Sequence, residues 1–267
     1  MRVLVIGFDG SADSRRALDW AAALARGQGD VELHLVEAIG VPTLPGALSV
    51  RSLAALLDEH ETERRELLER EAESLRSAGF AARGFVRRWL PTETLVEHAT
   101  ELGAELLVVG THGSGRARFL LGSVSGEVVR SAHQPVLLAR GSRPARPPRR
   151  ALLALDGSLP SQRAARVAAR WCLDAELLAL HVRENDAAMT SDELAQAVGA
   201  LGLGTRTVEL RLSEGHPAQR ILELIAAEEI DLLATGTRGM GPLAELLLGS
   251  VSDKLIQLAD CPVLLSR

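Results

Sequence analysis

"GTRGMGPLAELLLGSVS" runs from residue 236 to 252, directly after the apolar "DLLAT" (231–235), and sets four glycines around a leucine-rich stretch. "GTHGSGRARFLLGSVS" does nearly the same at 110–125, after "ELLVV" (105–109). Glycine lacks a Cβ, so it permits sharp turns and lets a ligand come close to backbone N–H groups. On this reading Gly236 and Gly239 bend the chain off a strand, and Gly249-Ser250 opens the following helix. The unpaired amides and positive dipole end of that helix favour a phosphate, and Ser250 adds a hydroxyl donor. The same residues also suit a plain strand-to-helix turn with Ser250 as helix N-cap, so the residues alone leave both readings open.

The repetition extends over the whole chain. "VLVIGFDGSADSRRALDWAAALA" (3–25) matches "ALLALDGSLPSQRAARVAARWC" (151–172) and sets Asp9 against Asp156; "LLGSVSGEVVRSAHQPVLLAR" (120–140) matches "LLGSVSDKLIQLADCPVLLSR" (247–267). Such self-similarity marks a duplicated unit. The offset between copies falls from 147 at Asp9 and Asp156 to 126 at Gly110 and Gly236, so copy two is 21 residues shorter between those points. Copy one spends the difference on "VRSLAALLDEHETERRELLEREAESLRSAGF" (50–80), whose leucines at 53, 56, 57, 67, 68 and 75 recur at helical spacing and predict a long amphipathic helix with a solvated charged face. The expected domains are therefore 1–141 and 151–267. Between them 142–150, within "GSRPARPPRR" (141–150), is expected to be a tether whose arginines stay solvated.

Within each copy, short runs that are apolar throughout alternate with helical patterns, as in "VLVIGF", a helix over about 11–26, "VELHLVEAI", and "TETLVEHATELG" with Thr92 as its N-cap after Pro91. "HPAQRILELIAAEE" in copy two places Pro217 in a first turn. Strands buried on both faces and linked by helices form parallel sheets covered on both sides, and in such open sheets ligands sit beyond the carboxyl ends of the strands. Asp9 and Asp156 fall there, as do both glycine-rich segments. Each aspartate suits an Asx-turn or cap, and equally an acceptor for a base amino group or ribose hydroxyl. The terminal strands "PVLLAR" and "PVLLSR" are expected at sheet edges, where the two copies pair.

With 46% hydrophobic and 24% charged residues, the 267-residue chain has the composition of a folded globular protein. A net charge of −5 argues against a global electrostatic footprint for nucleic acid or an anionic membrane surface. Cys172 and Cys261 lie far apart without metal-ligand spacing and read as small core residues. The N-terminus carries no signal-peptide pattern, and no run reaches the roughly 18–20 apolar residues of a membrane span, so a cytoplasmic location is expected.

The spacing G-x2-G-x9-G-S in "GTRGMGPLAELLLGSV", with "DGS" after the first strand, resembles the universal stress protein family, specifically a tandem member; the resemblance covers nearly the whole chain, from Val3 to Leu265. It implies an α/β architecture of two tandem Rossmann-like domains, each a five-stranded parallel sheet in the order 3-2-1-4-5. In the nucleotide-binding branch it implies ATP in the cleft by strands one and four; magnesium enters only as a lesser reading of the Asp9 and Asp156 carboxylates. Carried over, it puts Asp156 and Val182 at base and ribose, Gly236 and Gly239 along ribose and phosphates, and Gly249, Ser250 and Val251 at the phosphate end. The copy-one counterparts are Asp9, Val36, Gly110, Gly113, Gly122, Ser123 and Val124. Copy one has eight residues between Gly113 and Gly122 where the motif has nine, but it adds Arg116 and Arg118. Spacing ranks copy two first; charge argues the other way.

The leading expectation is an ATP-binding regulatory protein of the stress response that works through nucleotide-dependent conformation, with no catalytic or metal-ligating residues assigned and a homodimer as a further association. The chain has no P-loop GxxxxGK[ST], no kinase set and no "SGGxDS". Two alternatives stand beside it: a slow ATPase in which His112 or an aspartate positions water, and an interaction module that binds no nucleotide.

Overall fold

The computed structural model describes residues 1–40, 50–111, 121–184, 189–237 and 248–267, with the side chains of 50–53 left aside. The first half runs β1 (Arg2–Gly7), α1 (Ala12–Ala25), β2 (Val31–Ala38), α2 (Val50–Ser77), β3 (Ala81–Arg87), α3 (Pro91–Glu101), β4 (Leu106–Gly110), α4 (Ser123–Ser131) and β5 (Val136–Ala139). The second runs β6 (Arg150–Ala154), α5 (Leu159–Trp171), β7 (Glu176–Arg183), α6 (Ser191–Gly199), β8 (Val208–Glu214), α7 (Pro217–Ala227), β9 (Leu232–Gly236), α8 (Ser250–Leu258) and β10 (Val263–Ser266). All form one ten-stranded sheet in the order β3-β2-β1-β4-β5-β10-β9-β6-β7-β8. Each half thus has the 3-2-1-4-5 order of a Rossmann-like unit. Its strands are parallel throughout, and only β5 and β10 meet antiparallel.

That antiparallel seam sits where the sequence places the exposed edges. Leu137 pairs with its own repeat counterpart Leu264, flanked by Leu138 with Val263 and Val136 with Leu265, so a pseudo-twofold axis passes between the two leucines. One apolar layer holds Leu137 and Leu264 beneath α1, α2, α5 and α6; the other holds Val136, Leu138, Val263 and Leu265 beneath α3, α4, α7 and α8. Pairing removes two hydrophobic edges from water and makes both layers continuous across the halves.

Three sequence expectations change. The N-cap of α3 is Leu90, with Pro91 at N1, and the Thr92 hydroxyl donates to Glu127 Oε2 at 2.9 Å. Pro91 has no N–H to offer a cap and fits the first helical position, which moves the boundary back. The long helix α2 forms as expected, with Leu68 buried, but its polar face is not simply solvated: Arg64 Nε donates to Glu37 on β2 at 2.7 Å and Arg15 on α1 reaches Glu71. Nor do all the linker arginines stay solvated. Arg146 bonds the buried Asp231 at 2.9 Å, and the other Asp231 oxygen accepts the amides of Arg149 and Arg150 at 2.8 and 3.3 Å. Ser142 donates to Asp260, Arg143 to Glu229 O, and Arg16 on α1 to Gly141 O. A buried carboxylate requires such partners, so it orders the segment that supplies them. Cys172 and Cys261 are buried and unpaired, and burial pushes both thiols up to about 12.

Asp231→Ala should leave two linker amides and Arg146 without their acceptor and cost about 1–3 kcal/mol, read as a lower urea midpoint at constant slope. On the α3 side of the first half, His34 Nδ1 and His98 Nε2 lie 3.2 Å apart beneath Phe85. Burial, and then the nearby His34 and Arg87, push His98 down to about 4. The unfolded chain therefore binds a proton that the native state refuses, and stability present above about 6.5 is lost as pH falls towards 4. In His98→Gln, urea midpoints at pH 7 and pH 5 should differ less than in the parent.

Candidate functional site

In each half, the candidate residues gather where the neighbouring first and fourth strands end. Past β1, Phe8 donates its amide to Val36 O at 2.9 Å, keeping the chain beside β2. Asp9 Oδ1 then accepts the Ser11 amide at 3.0 Å across Gly10, whose φ of +75° only glycine adopts without strain. Ser11 caps α1 by accepting from Ser14 N at 3.2 Å. Half two repeats the turn: Asp156 Oδ1 accepts the amide and hydroxyl of Ser158 at 3.0 and 2.6 Å, Gly157 has φ +86°, and Ser158 caps α5. Both aspartates are therefore Asx-turn formers, and both keep exposed carboxylates. Burial raises the Asp9 carboxyl, but hydrogen bonds from Ser11 and Ser14 outweigh it and hold the group below its ordinary value.

The glycine-rich segments leave and return at fixed points. Gly122 N donates to Thr111 O at 2.7 Å and Ser125 Oγ to Gly110 O at 2.6 Å; Gly249 N donates to Thr237 O at 2.9 Å and Ser252 Oγ to Gly236 O at 2.7 Å. Each segment is thus closed at its base by one amide and one serine. Gly122 and Gly249 are the N-caps of α4 and α8, neither with a side-chain capping bond, and Ser123 and Ser250 occupy N1 with exposed side chains. Ser250 is therefore not the cap, and among the described residues no side chain caps the first-turn amides of α8. Val124 and Val251 pack their side chains on the apolar layer and offer only backbone to this region. Gly113 and Gly239 lie outside the described residues, as do His112, Arg116 and Arg118.

Three candidates have a different setting from the one the sequence suggests. Gly110 needs its bare Cα for packing, since a Cβ there would lie 2.7 Å from the backbone C and O of Asp13 at the start of α1. Gly236 does not bend the chain: it ends β9 within the sheet, and Thr237 N still reaches Ser266 O at 2.8 Å. Val36 and Val182 are not equivalent. Val36 faces Gly7 in the register, whereas Leu180 faces Ala154, the counterpart of Gly7, so Val182 corresponds to Ala38. The link from first helix to second strand is shorter in copy two, and this sets Val182 two places further along its strand than Val36. Val36 is buried, while Val182 is partly exposed.

Sequence reading overlooks Thr111 and Thr237, although "GT" and "GSVS" recur in both copies. Thr237 is 4% exposed, and its Oγ1 has no hydrogen-bond partner among the described residues. The Thr111 hydroxyl instead faces Asp13 Oδ2 at 3.4 Å. Among the described residues no group of three His, Cys, Asp or Glu side chains is arranged to hold a metal, and no helix is long and apolar enough to cross a membrane.

The sequence model of the universal stress protein family matches residues 1–140 and 183–267. The chain belongs to the universal stress protein family. It is 29% identical over 290 residues to a universal stress protein of Mycobacterium tuberculosis, covering 99% of this chain and 96% of that protein. To one of Mycobacterium bovis it is 30% identical over 293 residues, with coverage of 99% and 96%. The crystal structure of a universal stress protein from Archaeoglobus fulgidus superposes with a TM-score of 0.80 at 21% identity, over 99% of this chain and 98% of that one, which supports the fold. The tandem arrangement of this universal stress protein is thus shared over full length.

Gly110→Ala should destabilise the protein by about 1–3 kcal/mol, because the new methyl meets main chain that cannot rotate away; the urea midpoint reads it.

Proposed function

We propose that this universal stress protein is a regulatory protein that binds an adenine nucleotide, ATP with or without magnesium, beyond the carboxyl ends of its sheet strands. The observation that carries the reading is the α8 terminus: a glycine cap whose amide donates to Thr237 O, an exposed Ser250 at the first helical position, and a buried Thr237 hydroxyl with no hydrogen-bond partner among the described residues. A buried hydroxyl without a partner costs stability unless a ligand completes it. A phosphate supplies acceptors for that hydroxyl and for first-turn amides, and the helix dipole favours its charge.

In this reading Gly249, Ser250 and Val251 hold the phosphates through backbone and hydroxyl, with Gly236 and Gly239 along the ribose and phosphate path. Asp156 accepts from the ribose or base, and Val182 borders the base. Asp9, Gly110, Gly113, Gly122, Ser123 and Val124 are the matching set in the first half, and Val36, two places earlier along its strand than Val182, is the remaining candidate there. The units 1–141 and 151–267 are the two domains, joined by 142–150. Nucleotide occupancy, rather than turnover, sets the conformation offered to a cytoplasmic partner or a second copy of the chain.

Ser250→Glu tests this with two readouts of opposite sign. A carboxylate at N1 complements the dipole and should raise stability by about 0.3–1 kcal/mol, while its charge should weaken ATP at least about tenfold. Calorimetric titration and urea unfolding measure the two; a folded variant that binds ATP as tightly as the parent overturns the assignment.

A further inference from the structure

The two halves carry the same Asx-turn, the same clasp and the same glycine-capped helix, yet the turns differ in sequence, most consequentially where Asp13 stands against Pro160. The turn reads Asp9-Gly10-Ser11-Ala12-Asp13-Ser14 in the first half and Asp156-Gly157-Ser158-Leu159-Pro160-Ser161 in the second. Asp13 is the acidic residue of the first turn of α1, whereas the first turn of α5 has none and carries Pro160.

Asp13 does two things there. Its backbone lies over Gly110, and its Oδ2 sits 3.4 Å from the Thr111 hydroxyl. The counterpart of that hydroxyl, Thr237 Oγ1, is buried and has no hydrogen-bond partner among the described residues. The first half therefore sets a carboxylate against the threonine where the second half offers an unfilled donor. A carboxylate also complements the positive end of α1, so that dipole is already answered within the protein.

The first half is further built over at its turn. Arg64 and Leu67 of α2 come within 3.3 and 3.2 Å of the position a Cβ would take on Gly10, and Arg64 is tied to the buried Glu37. At the same strand register the second half has His181, whose Nδ1 donates to Leu155 O at 2.8 Å, and α6 is much shorter than α2. One feature runs the other way, since Asp253 lies in the first turn of α8. Its Oδ2 accepts from Gln257 at 2.9 Å, one turn along the helix and away from the terminus.

We infer that the two crevices are not equivalent: the second half takes the phosphate chain through Thr237 and the α8 terminus, while Asp13 bars phosphate from the first half. The inference rests on the nucleotide reading above and assigns its stoichiometry and the residues that set it.

The test uses the full-length chain freed of nucleotide and titrated with ATP and magnesium, with radiolabelled ATP in equilibrium dialysis counting sites. The parent should bind one ATP per chain. Thr237→Val, which removes a hydroxyl without changing shape, should weaken that site about ten- to a hundredfold, the value of a hydrogen bond to a charged group. Asp13→Ala should raise the count to two. Asp13→Asn, which keeps a polar side chain in the first turn and removes only the charge, should also admit the second ATP and guards against a folding defect in the alanine variant. Ser123→Glu should abolish the extra site of either Asp13 variant. Two sites in the parent, or one site that Thr237→Val spares, overturns the inference while leaving nucleotide binding intact. So does a count of one in both folded Asp13 variants. No ATP bound by the parent overturns the nucleotide reading itself and the inference with it.

Discussion

A single backbone hydrogen bond in each half decides what the glycine-rich segment is able to do. Gly249 N donates to Thr237 O, and Gly122 N to Thr111 O, so a segment of about a dozen residues leaves the sheet and returns to the residue it left. The serine three places on, Ser252 or Ser125, ties the same helix turn to the last strand carbonyl. With its base fixed in this way, the helix terminus has a defined position relative to the strand ends whatever the segment itself does. Loop closure of this kind removes conformational freedom before any ligand arrives, which lowers what binding must order. It also explains how copy one tolerates one residue fewer: the two clasps have the same form, and the difference falls between them.

The seam and the linker solve a different problem. Two parallel sheets end in short apolar strands, and each would expose an edge suited to indiscriminate pairing. Here each edge satisfies the other, around Leu137 and Leu264. The connecting chain is then fastened to the second half by Asp231, a buried carboxylate whose partners are linker amides and Arg146. The halves are therefore joined both through the sheet and along the connection between them.

Much of this was legible in the sequence because it follows from local pattern. Apolar runs of five or six residues marked the strands, and the duplication marked the halves. The terminal "PVLL" strands marked the seam, and the 21-residue difference marked α2. What the sequence hid depends on contacts between distant residues. Gly110 looks like a ligand-facing glycine until Asp13 is seen lying over it. The Val36 and Val182 match fails because a connection of different length shifts one strand against its neighbour, a register that sequence alone does not carry. The linker reads as a tether because nothing in "GSRPARPPRR" announces that Asp231, more than eighty positions on, needs its amides. Thr237 escaped notice because a threonine just past a strand is ordinary; only its burial without a partner among the described residues sets it apart.

The antiparallel seam has a geometrical corollary. Strands β1 to β5 share one direction, and β10, lying against β5, reverses it for β6 to β10. The carboxyl ends of the two sets therefore emerge from opposite rims of the sheet, so whatever gathers at one rim cannot touch what gathers at the other. A small molecule cannot bridge both mouths. Any protein that senses both must reach around the molecule, and one that approaches from a single side reads one half only.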